Sequence, residues 1–238
     1  MIRIGNFIFH YRNGLFPLVY ALLFFRWHPL FSNNYLAALL GFAIALAGQI
    51  LRAVTIGLDY IRRGGKNRQV YADHLVTGGI FAHSRNPLYL GNFITILGVG
   101  IAANSLLFLS VAIPFFIFAY AAIIAAEENF LRKKFGKDFD DYCARVNRIV
   151  LNFSHIRQTL AGMEFSWKRL INKEYGSSFI WLAAVITATI KNVWLDYGYN
   201  SNRPIIWMLY FLLLVVTLAY AVARYLKKKG LLQEDATA

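Results

Sequence analysis

The residue types that do chemistry are concentrated in one polar stretch, His83-Ser84-Arg85-Asn86-Pro87-Leu88-Tyr89-Leu90-Gly91, and in an acidic pair, Glu127-Glu128. A guanidinium presents a planar fork of donors that matches a carboxylate or a phosphate, and carboxylates accept hydroxyl donors or balance a cation. Between the two groups lies almost uninterrupted apolar sequence, which reads as two helices over 87–103 and 105–126 with a tight turn at Asn104-Ser105. At about 1.5 Å per residue the first climbs roughly 26 Å and the second descends roughly 33 Å. Glu127 and Glu128 therefore return to the depth of Arg85 and Asn86. Adjacent helical residues point about 100° apart, so at most one glutamate aims squarely into the hairpin. Just before them, Ala119-Tyr120-Ala121-Ala122-Ile123-Ile124-Ala125-Ala126 is rich in small side chains that let another helix, or a flat ligand, approach the backbone.

The elements that must position these groups are transmembrane helices. Hydrophobic residues make up 58% of the 238 and charged residues only 16%. Several apolar runs approach the roughly 20 residues that cross a bilayer core. The expected class is an all-α membrane protein with six spans, over 14–31, 35–57, 87–103, 105–126, 177–191 and 205–225. Arg26 and His28 interrupt the first and Pro29 would bend it, so five spans is the variant of this arrangement. With both termini cytoplasmic, all of the 25 Lys and Arg except Arg26, Arg52, Lys191 and Arg203 fall in inner segments, Arg3 and Arg12 among them. The +13 net charge thus follows the positive-inside rule and does not call for a nucleic-acid partner. The expected location is a bacterial inner membrane, multi-pass, with the polar stretch facing the cytoplasm. The first apolar run lacks a small-residue cleavage site, so no signal peptide is expected. Cys143, alone, forms no internal disulfide.

Residues 127–151 are dense in charge and read as a helix continuing past the membrane. Over 155–172, Ile156, Leu160, Met163, Trp167, Leu170 and Ile171 recur at helical spacing with Arg157, Lys168 and Arg169 between them. That pattern predicts a cytoplasmic amphipathic helix lying on an anionic phospholipid surface, with Lys227-Lys228-Lys229 as a second anchor. Arg52 lies near the inner end of its span, where a long side chain snorkels or, as an intramembrane charge, marks a site. The five histidines show no metal-ligand spacing, so no metal is expected. The chain divides into an N-terminal membrane region (1–44), a core (45–151), the amphipathic helix (152–176) and a two-helix extension (177–238).

Two gapped motifs in this core resemble the signature of the isoprenylcysteine carboxyl methyltransferase family, whose outline the phospholipid N-methyltransferases share. The first is His74-Leu75-Val76-Thr77-Gly78-Gly79-Ile80-Phe81 leading into Ser84-Arg85-Asn86-Pro87-Leu88-Tyr89-Leu90-Gly91. The second is Glu127-Glu128-Asn129-Phe130-Leu131, then Phe135-Gly136, Phe139, Tyr142, Val146 and Arg148. Upstream, Gly48-Gln49-Ile50-Leu51-Arg52 is similar to the family's Gly-rich, Arg-bearing second helix. The chain departs from the pattern at Asn86, often His, at Phe139, commonly Tyr, and at Leu151, often Pro.

The resemblance implies methyl transfer from S-adenosylmethionine to a membrane lipid or prenyl acceptor. It implies catalytic roles for Arg85, Glu127 and Glu128, and cofactor contacts from Gly78, Gly79, Asn86, Tyr89, Tyr142 and Arg148. Arg52 and Arg85 are the implied acceptor-binding residues. A carboxylate or phosphate acceptor is already anionic at neutral pH and needs no base; an amine would need one, and the glutamates are the candidates. Two other classes stand beside this one: an NADPH-dependent enzyme like the membrane sterol reductases, which generally have more spans, and a non-enzymatic scaffold or transporter.

Overall fold

The computed structural model describes residues 1–25, 27–58, 72 and 74–232. Among them the chain forms eight α-helices and no strand: α1 (Ile2–Tyr20), α2 (Asn34–Leu58), α3 (Pro87–Ala102), α4 (Leu106–Phe135), α5 (Lys137–Arg145), α6 (Ile156–Ala161), α7 (Trp167–Tyr197) and α8 (Arg203–Lys228). Helices α2, α4, α7 and α8 are long and apolar enough to cross a membrane, and α3 is a shorter apolar helix. This is an all-α membrane protein.

The hairpin forms as its sequence dictates. Pro87 opens α3 at a position where its missing N–H costs nothing. Asn104 takes a positive φ of 51° at the turn, and Ser105 caps α4 by accepting the Phe108 amide at 3.2 Å. The Asn104 side chain also accepts the Leu30 and Phe31 amides, both at 2.8 Å, which sews the segment before α2 onto the turn. Glycines let α2 and α3 cross closely. A Cβ on Gly41 would lie 2.1 Å from the Ala102 nitrogen, and one on Gly98 would lie 2.3 Å from the Ala45 nitrogen. Side chains at those positions would force the helices apart.

The first element differs from the expected span 14–31. Helix α1 starts at Ile2, ends at Tyr20 in a short 3-10 turn (Ala21–Phe24), and residues 27–33 carry no helix. It runs antiparallel to α4. A Cβ on Gly5 would meet the Ala122 carbonyl oxygen at 2.0 Å, Phe16 stacks edge-on to Phe116 at 5.0 Å, and Tyr20 meets Phe108 at 5.9 Å. The small side chains over 119–126 thus receive α1. Hydropathy misplaces this helix because Arg3, Asn6, His10, Arg12 and Asn13 dilute a stripe that packs by shape. Arg12 accordingly sits within α1.

Two further expectations are corrected. The amphipathic helix over 155–172 is split: α6 ends at Ala161, and Ser166 starts α7 by accepting the Arg169 amide at 3.2 Å. Helix α7 then runs unbroken for 31 residues, overrunning the expected 177–191 at both ends and the boundary at 176. Residues 127–151 are not one helix either. Helix α4 stops at Phe135, Gly136 turns the chain with a φ of 53°, α5 follows, and Val146 begins an extended strap. Among the described residues helix α8 packs chiefly on α7, and most of its surface is exposed.

Candidate functional site

The strap after α5 brings the two motifs together. Its backbone and that of residues 83–86 exchange hydrogen bonds, Arg85 donating to the Asn147 carbonyl and Asn152 to the His83 carbonyl, both at 2.9 Å. The Ser84 hydroxyl donates to Ile149 and the Asn86 amide to Arg148, again at 2.9 Å. His83 is buried, with Nδ1 2.6 Å from the Asn152 carbonyl and Nε2 2.8 Å from the Thr159 hydroxyl, which ties α6 to the same seam. These partners satisfy backbone groups that would otherwise be buried unpaired at the entrance to α3.

This zipper aligns the charges. Glu128 lies between two arginines, 3.3 Å from Arg85 and 2.8 Å from Arg148, which reaches it in bidentate fashion. The Arg85 Nε is buried and has no hydrogen-bond partner among the described residues, so the guanidinium retains a donor for a further anion. Glu127, one residue earlier, turns the other way and accepts the Tyr89 hydroxyl of α3 at 2.9 Å. Glu127 is therefore the glutamate that aims into the hairpin. Tyr142 is buried on α5 and donates to the Phe81 carbonyl at 2.7 Å, holding the 3-10 turn Gly79–Ala82 in place. That turn starts with Gly79 at a φ of 56°, a conformation that a Cβ would strain, while Gly78 beside it is extended and exposed.

Beside Glu127 opens a cavity of about 1200 Å³ between α1, α2, α3, α4 and α7. Its lining reaches from Leu131 to Phe116 along α4, roughly 22 Å of helix. Phe16, Phe116 and Trp181 make it mostly apolar, and Asn86, Tyr89 and Glu127 stand at one end. The volume and shape suit a lipid chain.

Arg52 also lines the cavity, and it does not snorkel. Its Nε donates to Glu174 of α7 at 2.8 Å, a second nitrogen pairs with the other oxygen of that carboxylate, and the third reaches Asn92 and the Leu88 carbonyl. Gln49 bridges from Glu174 at 3.0 Å to the Trp181 indole at 3.1 Å. Of the residues singled out from sequence, Arg85, Asn86, Glu128 and Arg148 come together at the seam. Tyr89 and Glu127 face the cavity, Gly78, Gly79 and Tyr142 frame the turn before α3, and Arg52 is held by Glu174 and by Leu88 and Asn92 of α3. Sequence reasoning missed Glu174. It lies among basic residues in what reads as a surface helix, and nothing local pairs it with a charge 122 positions away.

Residues 34–138 match the phospholipid methyltransferase family. The family segment thus includes α2, α3, Arg52, Arg85 and both glutamates, whereas α1, α7 and α8 lie outside it. Over 151 residues the chain is 26% identical to the nickel-cobalt-cadmium resistance protein NccN of Alcaligenes xylosoxydans xylosoxydans. It is 32% identical, also over 151 residues, to the cobalt-zinc-cadmium resistance protein CzcN of Cupriavidus metallidurans. Each match takes in 60% of this chain and spans 65% and 64% of the respective relative, just under two thirds of either. No solved structure matches the chain.

Proposed function

We propose that this protein transfers a methyl group from S-adenosylmethionine to an anionic oxygen, carboxylate or phosphate, of a lipid held in the cavity, at the cytoplasmic end of the bundle. One observation carries the reading. The zipper between the strap and residues 83–86 presents a part-engaged arginine, Arg85, on one side of α4, while Glu127 and Tyr89 open onto a lipid-sized cavity on the other. The residues present fit the cofactor: Arg85 has a buried donor for its carboxylate, and Glu128, Asn86 and Arg148 stand beside it as polar contacts. S-adenosylmethionine supplies a methyl already activated on a sulfonium. The chain's own residues have the tasks of alignment and water exclusion, and positioning alone can supply about 7–11 kcal/mol in the best intramolecular cases. Phe16, Phe116 and Trp181 keep the acceptor side dry. No residue is asked to remove a proton, because the acceptor oxygen is anionic before it becomes an ester.

The basic start of α7, with Lys168 and Arg169, and the end of α8 form a patch for anionic head groups. Lys227 joins the two by donating to the Asn172 carbonyl at 3.0 Å. The names of the two relatives connect with the same chemistry. Esterifying an anionic lipid removes negative surface charge, and a surface potential near −30 mV concentrates divalent cations about ten-fold. Methylation would thus lessen divalent metal at the membrane without any metal ligand on the enzyme.

Calorimetric titration of the purified chain separates the classes. S-adenosylhomocysteine binds and NADPH does not; absence of heat with the former overturns the methyltransferase reading. Labelled cofactor incubated with a native lipid extract then identifies the lipid that gains the methyl.

A further inference from the structure

We propose that Arg12 of α1 is the residue that holds the acceptor's anionic group, in a subsite built outside the family segment. The proposal rests on the reading of the cavity as the acceptor site. Arg12 lines that cavity, together with Tyr120 and Glu127 of the facing helix. It lies between Gly5, seated on Ala122, and Phe16, packed on Phe116, and so at the level of the apolar part of α4. Side chains on a helix lean toward its N-terminus, and Arg12 does so: its guanidinium carbon stands 4.2 Å from the centre of the Phe9 ring. The charge is thereby brought back toward the end of the cavity that holds Glu127.

The other cavity arginine has its full complement of partners. Arg52 is bound to Glu174, Asn92 and the Leu88 carbonyl. Arg12 has no ion pair with any described residue, and its guanidinium lies against an aromatic face. A guanidinium kept in a largely apolar cavity without an ion-pair partner is costly, and an entering anion removes that cost. The ligand class this selects is a long-chain amphiphile with an anionic carboxylate or phosphate. The arrangement also favours turnover. When the acceptor oxygen forms its bond to the methyl carbon and the sulfur retains the electron pair of the broken bond, the lipid becomes less charged. Arg12 then holds product more weakly than substrate.

The test uses the full chain in a neutral detergent, with hexadecyl phosphate and its uncharged dimethyl ester as probes and hexadecanoate as a carboxylate arm. The wild type should prefer hexadecyl phosphate over the ester by about ten-fold or more. Arg12→Ala and Arg12→Gln should bind both probes alike, and Arg12→Lys should keep part of the preference. S-adenosylhomocysteine should bind all four proteins equally, which reports folding and keeps a failure here distinct from a failure of the methyltransferase reading. An unchanged preference in Arg12→Gln, or no preference in the wild type for either anion, phosphate or carboxylate, over its uncharged methyl ester, overturns the proposal. If hexadecanoate alone shows the preference, the acceptor is a carboxylate.

Discussion

Two Arg–Glu arrangements lie within this bundle and serve opposite ends. The pair Arg52–Glu174 is nearly closed off, with side chains 12% and 4% exposed, and joins α2 to a helix outside the family segment. The group Arg85–Glu128–Arg148 is open at one side, with Arg148 44% exposed, and joins the two motifs themselves. In the first every guanidinium nitrogen is engaged; in the second Arg85 keeps a donor in reserve. A saturated buried pair is a latch, because removing one member leaves an uncompensated charge. An unsaturated pair near solvent contributes little stability and is available to a ligand.

That contrast can be broken most directly at the latch. Glu174→Ala should destabilise the protein by about 3–5 kcal/mol, with Arg52→Met/Glu174→Leu milder than either single change. Thermal unfolding in detergent measures this, and a wild-type midpoint for Glu174→Ala would show that the two arrangements do not differ. At the open group the expected loss is catalytic. Arg85→Ala should lower methyl transfer a hundred-fold or more, about 2.7 kcal/mol of barrier, while the protein stays monodisperse. Near-normal turnover would reduce Arg85 to a topological anchor. Between the two, Tyr89→Phe removes one hydrogen bond to Glu127, about 1 kcal/mol, and should slow transfer several-fold.

The smallest effect reports on the field of Arg85. Burial pushes the Cys143 thiol above its ordinary range, and Arg85 pulls it partly back. Less of it is thiolate at any given pH, so iodoacetamide should label Cys143 more slowly than free cysteine at pH 8. Arg85→Ala removes the opposing pull and should slow labelling further; faster labelling would place the arginine elsewhere.

Much of the fold was legible. Helices α2 and α3 fall close to the expected spans and α4 starts where expected, because each is apolar enough to read against the bilayer and Pro87, Asn104 and Ser105 punctuate the hairpin. The depth argument that put Arg85 beside the glutamates needed only helix rise. What escaped reading was shape. Helix α1 carries too many polar residues for a hydropathy window yet packs through Gly5 and Phe16 onto α4. The start of α7 has surface periodicity, but Glu174 on it is drawn inward by Arg52. The strap after Arg145 has no signal of its own, since its hydrogen bonds go to backbone about sixty residues earlier.

The sequence by itself determined the class, the hairpin and the level at which its charges meet, since hydrophobic length and helix rise are local quantities. Only the tertiary structure decided which glutamate enters the cavity, which acid holds Arg52, and that Arg12 faces the lipid-sized space. Helix phase fixes the angle between Glu127 and Glu128 but not its origin. That origin, like every pairing across the cavity, is set by close contact between helices remote in the chain.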